Sequence, residues 1–188
     1  MMKMSIFAVF MALCTMTCPA FNTQNEAQEK LSKAVDYFQG GKYHEALLMF
    51  EKIEKEYQLN PRFEAYIGVC QFYDQDFEKA AKTLDKVMPQ LESFAPHEKA
   101  VYLYCDAESH FQLKNFSESI ILFQKQLKLC YNDEKGDALL RIGICHWKLG
   151  DIPTAQKYLK SAKEYYMKFN ETDKFEHMER EISSLCNK

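Results

Sequence analysis

The stretch GKYHEALLMF, Gly41–Phe50, returns three more times along the chain in modified form. The later copies are QDFEKAAKTL from Gln75, KNFSESIILF from Lys114 and GDIPTAQKYL from Gly150. The four copies share a small residue at successive spacings of 34, 39 and 36 residues: Ala46, Ala80, Ser119 and Ala155. Repetition with such a period is the sequence signature of a protein built from stacked supersecondary units.

Each copy predicts a pair of helices. A second small residue lies twelve positions upstream of the first in every unit: Ala34, Gly68, Ala107 and Gly143. Apolar residues recur around both sites at the three- and four-residue spacing of a helix. Two antiparallel helices approach to about 8 to 10 Å only where small side chains face one another. The paired small sites therefore predict the crossing point of two helices joined by a short turn.

Local signals predict where the helices begin and end. Gly40 and Gly41 suit the left-handed end of a first helix. Three polar residues can cap the second helices: Asp76, Asn115 and Asp151. Asn115 followed by Glu118 also has the spacing of a capping box. The 39-residue spacing predicts a longer loop before the third unit, around SFAPHE at residues 93–98, with Pro96 inside it.

With these sites the chain resembles the tetratricopeptide repeat proteins over residues 26–169. The segments that carry the resemblance are AVDYFQGGKYHEALLMF (34–50), IGVCQFYDQDFEKAAKTL (67–84) and IGICHWKLGDIPTAQKYL (142–159). The resemblance implies an all-α fold, a right-handed superhelix of four helix-turn-helix repeats at about 26–60, 61–96, 97–135 and 136–169. The third repeat departs most from the family pattern, with Asp106 in place of the preferred Leu, Ser119 in place of Ala, and Gln126.

Residues 170–188 are predicted to form a C-terminal capping helix. Its apolar side is a stripe at helical spacing: Phe175, Met178, Ile182 and Leu185. A stacked array leaves an apolar side of its last repeat exposed, and a helix that is polar on its outer side closes it. Membrane binding is the other interpretation of the stripe, but the polar side carries acids as well as bases, which favours capping.

The first twenty residues resemble a secretory signal peptide. Lys3 precedes an apolar run, Met4–Met16, and small residues at Cys18 and Ala20 fit cleavage after Ala20, with residues 21–25 as a short linker. The run is shorter than the roughly 20 residues of a spanning helix. We expect export to the periplasm or the exterior, without stable membrane insertion once the segment is removed. A lipid anchor on Cys18 and an uncleaved N-terminal anchor are the alternatives.

Composition and motifs do not indicate chemistry. The net charge of −3 has no basic block behind it, so nucleic acid is not an expected partner. The cysteines after the signal lack C-x-x-C spacing, and they fit either buried apolar sites or a disulfide framework: Cys70, Cys105, Cys130, Cys145 and Cys186. Cys145 beside His146 lacks a third orienting group for catalysis, and His177 with Glu181 gives too few ligands for zinc. We predict no enzyme activity, cofactor or metal.

The resemblance implies that the first helix of each repeat lines the inner face of the superhelix. Carried onto this sequence, it gives ten candidate partner-binding residues: Phe38, Arg62, Phe72, Tyr73, Tyr104, Glu108, Phe111, Ile144, Trp147 and Lys148. One hypothesis is a protein-binding scaffold of the cell envelope that holds a partner polypeptide in this apolar groove, with Phe72, Phe111 and Trp147 as anchors. The alternative is a structural subunit of an envelope assembly that binds through its outer face, with the aromatic residues packed as core.

Export is tested by the mass of the protein recovered from its native source. We expect a chain that begins at Phe21, because the small residues at Cys18 and Ala20 fit the cleavage pattern. A chain that still begins at Met1, or one that carries a lipid on Cys18, would contradict the expectation.

Overall fold

A computed structural model of the protein describes the backbone of residues 19–186 and the side chains of residues 26–131 and 134–183. The apolar run Met4–Met16, Cys18 and the side chain of Leu185 lie outside the described residues. Within residues 19–186 the fold is all α, without a strand. The α-helices are α1 (Pro19–Gln39), α2 (Tyr43–Glu54), α3 (Pro61–Tyr73), α4 (Phe77–Val87), α5 (Pro96–Gln112), α6 (Phe116–Gln126), α7 (Asn132–Lys148), α8 (Ile152–Lys168) and α9 (Thr172–Cys186).

The first eight helices form four consecutive helix-turn-helix units, each packed on the next, which confirms the predicted helical repeat superhelix. The small residues predicted to face one another on the second helices are all fully buried: Ala46, Ala80, Ser119 and Ala155. On the first helices, a Cβ added to Gly68 would lie 2.6 Å from Leu84 Cγ, and one added to Gly143 would lie 3.1 Å from the backbone nitrogen of Leu159. The helices therefore cross where the small residues are.

The turn inside each unit has the same backbone geometry. A residue in the left-handed region lies directly between the helices, with φ of 70°, 62°, 62° and 82° in repeats one to four: Gly41, Gln75, Lys114 and Gly150. The amide of the next residue donates to a carbonyl five residues back in all four, as from Asp76 to Gln71 at 2.9 Å. This is the bond of a Schellman ending, and two of the four repeats make it without glycine.

Two of the three predicted caps form. Asp76 accepts a hydrogen bond from the Lys79 amide at 3.4 Å, and Asp151 accepts one from the Thr154 amide at 3.3 Å. Asn115 occupies the cap position of α6 but makes no cap hydrogen bond, so the predicted capping box is wrong.

Three boundaries differ from the sequence expectation. Pro96 is the first residue of α5 rather than part of a loop, because proline's missing N–H costs nothing in a first helical turn. The extra residues before the third repeat are instead a 3-10 turn, Met88–Gln90, and the five residues after it. Residues 21–25, expected as a linker, lie within α1, and residues 132–135 belong to α7 and hence to the fourth repeat.

The C-terminal helix α9 packs on the last repeat through the predicted stripe. Met178 is fully buried, and Phe175 and Ile182 pack against the same apolar cluster as Tyr166 of α8. Within the part of the chain that is described, no helix has the length and apolar character needed to cross a bilayer.

The helix crossing is tested by Ala80→Leu. Ala80 is fully buried, so a larger side chain overfills the crossing of α3 and α4 and is expected to lower the free energy of unfolding by about 1 to 3 kcal/mol. The exposed Lys82 of the same helix supplies the control, because Lys82→Leu should change it by less than about 0.5 kcal/mol. Equal unfolding midpoints for the two variants in urea would contradict the pairing.

Candidate partner-binding face

The ten predicted residues all lie on first helices. Phe38 is on α1; Arg62, Phe72 and Tyr73 are on α3; Tyr104, Glu108 and Phe111 are on α5; Ile144, Trp147 and Lys148 are on α7. In the structure most of the aromatic residues among them lie close together. Of the others, some are buried and some form ion pairs.

Five aromatic rings form a continuous contact chain across the first three repeats, here called the aromatic row. The ring centroids of Phe38 and Tyr43 are 5.6 Å apart, and Tyr43 stacks on Tyr73 at 3.9 Å. Tyr73 meets Phe72 at 5.2 Å, and Phe72 meets Tyr104 at 6.1 Å. Stacked and edge-to-face contacts at such distances stabilise aromatic pairs beyond the burial of area. The row therefore stabilises the repeats it connects as well as presenting rings to solvent.

Exposure divides the predicted anchors. Tyr73 is 48% exposed, whereas Phe38, Phe72 and Trp147 are partly buried. Phe111 is also partly buried, against Phe116 at 5.7 Å between centroids. The aromatic residues thus pack against one another without being fully covered.

Three cavities surround Tyr104, and together they are here called the Tyr104 groove. The first, of about 340 Å³, is lined by Phe72 and Tyr73, and the second, of about 270 Å³, by Tyr73 and Val101. The third, of about 350 Å³, lies between Tyr104 and His177 of α9. Because Tyr104 lines all three, the groove runs from the second repeat to the C-terminal helix.

Two of the predicted residues are buried in the structure. Ile144 is 1% exposed and belongs to the core beneath α9. Glu108 is 5% exposed and accepts a hydrogen bond from Arg141 Nε at 3.0 Å. Glu108 is therefore a buried ion-pair residue that also lines the first cavity, and its assignment to a partner-binding face stays a prediction.

The two predicted cations both lie at the surface, but their side chains differ in how they are held. Lys148 is exposed. Arg62 is also exposed, but its guanidinium donates to both carboxylate oxygens of Glu98, at 2.9 and 3.2 Å. A bidentate pair of this kind fixes the guanidinium in one orientation.

Cys145 and His146 do not form a nucleophile pair. The Cys145 thiol contacts Ser119 Oγ at 3.5 Å, and burial raises its pKa to about 11. The His146 ring instead stacks on Tyr158 and lies 3.2 Å from the Asp151 carboxylate. A thiol with a raised pKa holds little of the reactive thiolate at neutral pH. Cys70, Cys105 and Cys145 are buried free thiols, as one of the two sequence interpretations predicts.

Comparison with known proteins agrees with this architecture. A model of the tetratricopeptide repeat family matches residues 137–166, which are parts of α7 and α8. A solved MamA structure, MamA AMB-1, is 19% identical over 74% of this chain and 78% of its own, with a TM-score of 0.62. The chain has the helical repeat fold of the tetratricopeptide repeat proteins. Another MamA structure is 16% identical over 80% of this chain and 79% of its own, with a TM-score of 0.63.

A third MamA structure, residues 41 to the end of the protein from Desulfovibrio magneticus RS-1, is 12% identical over 86% of this chain and 93% of its own, with a TM-score of 0.59. Among curated proteins, none matches this sequence. The family model reaches only the fourth of the tetratricopeptide repeats, and Ser119 and Asp106 show how far the third one departs from the pattern.

Sequence reasoning missed the residue that ties the C-terminal part of the repeat protein together. Arg141 of α7 donates to Glu108 of α5 and, through Nη1 at 2.8 Å, to Glu181 of α9. Its guanidinium also lies 4.9 Å from the centroid of the Phe111 ring. The only signal in the sequence is a single Arg within the apolar run LLRIGIC.

Burial raises the pKa of Glu108 above its ordinary value of 4.5, and the charge of Arg141 opposes that rise. The folded protein therefore binds this proton more tightly than the unfolded chain does. Stability from this group is fully present below pH 4.5 and is lost as pH rises through the folded pKa. Without Arg141 the folded pKa of Glu108 rises further, so the loss extends over a wider pH range.

We expect Arg141→Met to lower the free energy of unfolding by about 3 kcal/mol at pH 7, because it leaves Glu108 buried without its cation. The loss should become smaller as pH falls toward 4.5, where the unpaired carboxyl takes up a proton. Urea unfolding at several pH values measures both effects. Lys163→Met is the control, since it removes an exposed pair with Glu179, 3.0 Å apart, worth less than about 1 kcal/mol. A loss independent of pH would contradict the ion-pair assignment.

Proposed function

We propose that this tetratricopeptide repeat protein is a non-enzymatic scaffold that binds a partner polypeptide in the Tyr104 groove. The repeat fold supports a role in protein–protein interaction in general. The observation that carries the more specific proposal is the half-exposed Tyr73, which lines two of the three cavities around Tyr104. Large aromatic groups at the centre of a surface depression are the residues that most often dominate binding energy at interfaces.

The chemistry of the groove favours a partner that supplies apolar side chains. Near its middle, the buried charge of Glu108 is paired with Arg141, and farther along Asp137 is paired with Lys174 at 2.9 Å. Charged groups that are already paired have few hydrogen-bonding atoms left for a partner. The aromatic edges of Phe72, Tyr73 and Tyr104 are the large apolar groups of the groove, and an amphipathic helix or an extended segment with recurring apolar anchors fits such a surface.

The proposed location is the cell envelope or the exterior, which rests on the sequence of residues 1–20 alone.

A second candidate function has support from the structure. The second helices carry exposed apolar residues that first-helix binding does not use: Leu48, Ile121 and Met167, at 56%, 44% and 62% exposure. A structural subunit that binds through its outer face would use these residues.

Site-specific photo-cross-linking in the native source separates the two candidates. A photoreactive phenylalanine is placed at Tyr73 in one variant and at Ile121 of the second helix α6 in the other. Both sites are exposed, so neither substitution should perturb folding. If the groove is used, the partner cross-links from position 73 and not from position 121. Cross-linking from position 121 alone would show that the partner binds the outer face and not the groove.

Affinity for the partner so identified then tests the anchors. Phe72→Ala and Tyr73→Ala should each weaken binding by at least about 1 kcal/mol, because each truncation removes a ring that lines the groove. Ile121→Ala, which truncates an exposed apolar residue outside the groove, should leave affinity unchanged. Circular dichroism and melting must match the unsubstituted protein, since Phe72 also packs on Phe77 and Tyr104. Undiminished affinity in a folded Phe72, Phe111 and Trp147 triple alanine variant would contradict groove binding.

A further inference from the structure

Asp106 is buried in a way that costs free energy. It is fully buried in the third repeat, and neither of its carboxylate oxygens has a hydrogen-bond partner among the described residues. The imidazole of His110 lies beside it, with Nε2 3.7 Å from Asp106 Oδ1. A buried polar group without hydrogen bonds is destabilising unless something else satisfies it. A ligand that binds the two carboxylate oxygens would remove this cost of burying Asp106.

The groups around Asp106 have the composition of a metal site. Asp85 of α4 places Oδ2 3.3 Å from His110 Nε2, and one ligand atom from each of the three residues lies within 4.8 Å of the others. Tetrahedral ligands about 2.1 Å from zinc are about 3.4 Å apart. The two distances to His110 already match this, and the exposed Asp85 side chain can rotate to shorten its distance to Asp106.

His110 has a support on its other ring nitrogen. The side-chain amide of Asn115 lies 3.4 Å from His110 Nδ1. Asn115 is at the helix cap position where Asp76 and Asp151 make cap hydrogen bonds, and it makes none. The amide atom that lies toward the ring is the nitrogen Nδ2. A 180° rotation of the amide would place its oxygen against Nδ1–H and leave the Nε2 lone pair for a cation. Metal-binding histidines are usually oriented by such an acceptor.

Two of the three residues, Asp85 and Asp106, line a cavity of about 530 Å³ between α4, α5 and α6, and Glu118 lines it with them. The lining also includes three cations: Lys99, Lys125 and Lys128.

We propose that Asp85, Asp106 and His110 bind a divalent first-row transition-metal ion such as Zn²⁺ at the junction of the second and third repeats. Two carboxylates and one imidazole supply three ligands, and the fourth position opens to the cavity. The imidazole ligand selects zinc-like ions over Mg²⁺ and Ca²⁺, which prefer oxygen. The ion joins α4 to α5 across the repeat junction.

The equivalent place at the next junction has no such set. Ile142 of α7 stands where Asp106 stands in α5, and Gln124 of α6 stands where Asp85 stands in α4. His146 corresponds to His110, but it pairs with Asp151. His146→Gln is therefore a matched control that removes an imidazole at the same position of a repeat.

Calorimetric titration of the metal-free chain with Zn²⁺ tests the site, with Mg²⁺ and Ca²⁺ as competitors. We expect the unsubstituted protein and His146→Gln each to bind one Zn²⁺ ion with the same affinity. The affinity of Asp106→Asn for Zn²⁺ should be at least tenfold lower. The same ion should raise the melting temperature of the first two proteins and not that of Asp106→Asn. Asp85→Asn, at an exposed side chain that folding does not require, should show the same loss of affinity.

Retention of the full Zn²⁺ affinity in both Asp106→Asn and Asp85→Asn would overturn the proposal, because any zinc seen would then be bound elsewhere. Equal affinity for Mg²⁺ would overturn the assignment to an imidazole-containing site. Loss of affinity in His146→Gln equal to that in His110→Gln would also count against it. If His110→Gln fails to fold, the two aspartate variants decide.

Discussion

The close approach of two helices at a pair of small side chains is the constraint on which the rest of the structure depends. At Gly143 there is no space for even a methyl group, since a Cβ would lie 3.1 Å from the backbone nitrogen of Leu159. That contact sets the distance between the helices of a repeat, and the distance sets which side chains of neighbouring repeats meet. The aromatic row and the Tyr104 groove follow from four such crossings stacked in order.

The sequence predicts this architecture well because each crossing leaves a mark at a fixed spacing. Ala46, Ala80, Ser119 and Ala155 are fully buried as their register requires. The turns are harder to predict from the sequence. Gln75 and Lys114 adopt the left-handed backbone conformation, which is usually indicated by a glycine. The backbone bond across each turn, from an amide to the carbonyl five residues back, and the packing of the helices on both sides hold this geometry where local propensity does not. The four turns are therefore more uniform than their composition indicates.

The candidate site was less predictable from sequence, for a physical reason. Register along a helix indicates which side of it a residue occupies, but not what a distant helix places opposite. Ile144 is on the predicted side and is covered by α9, and Glu108 is on it and is paired with Arg141. Asp85 and Asp106 are 21 positions apart in sequence and on different repeats, so their proximity to His110 is visible only in three dimensions.

Arg141 also changes how far a disturbance travels along the array. In an ideal solenoid each repeat contacts only its neighbours, so stability is a sum of local terms and the ends fray independently. Here one guanidinium holds an acid on α5 and an acid on α9, helices separated by a whole repeat in the chain. Opening of α9 removes one of the two acids that hold this guanidinium and so loosens its hold on the third repeat, which leads us to expect that the C-terminal half exchanges its amide hydrogens as one cooperative block rather than from the end inward.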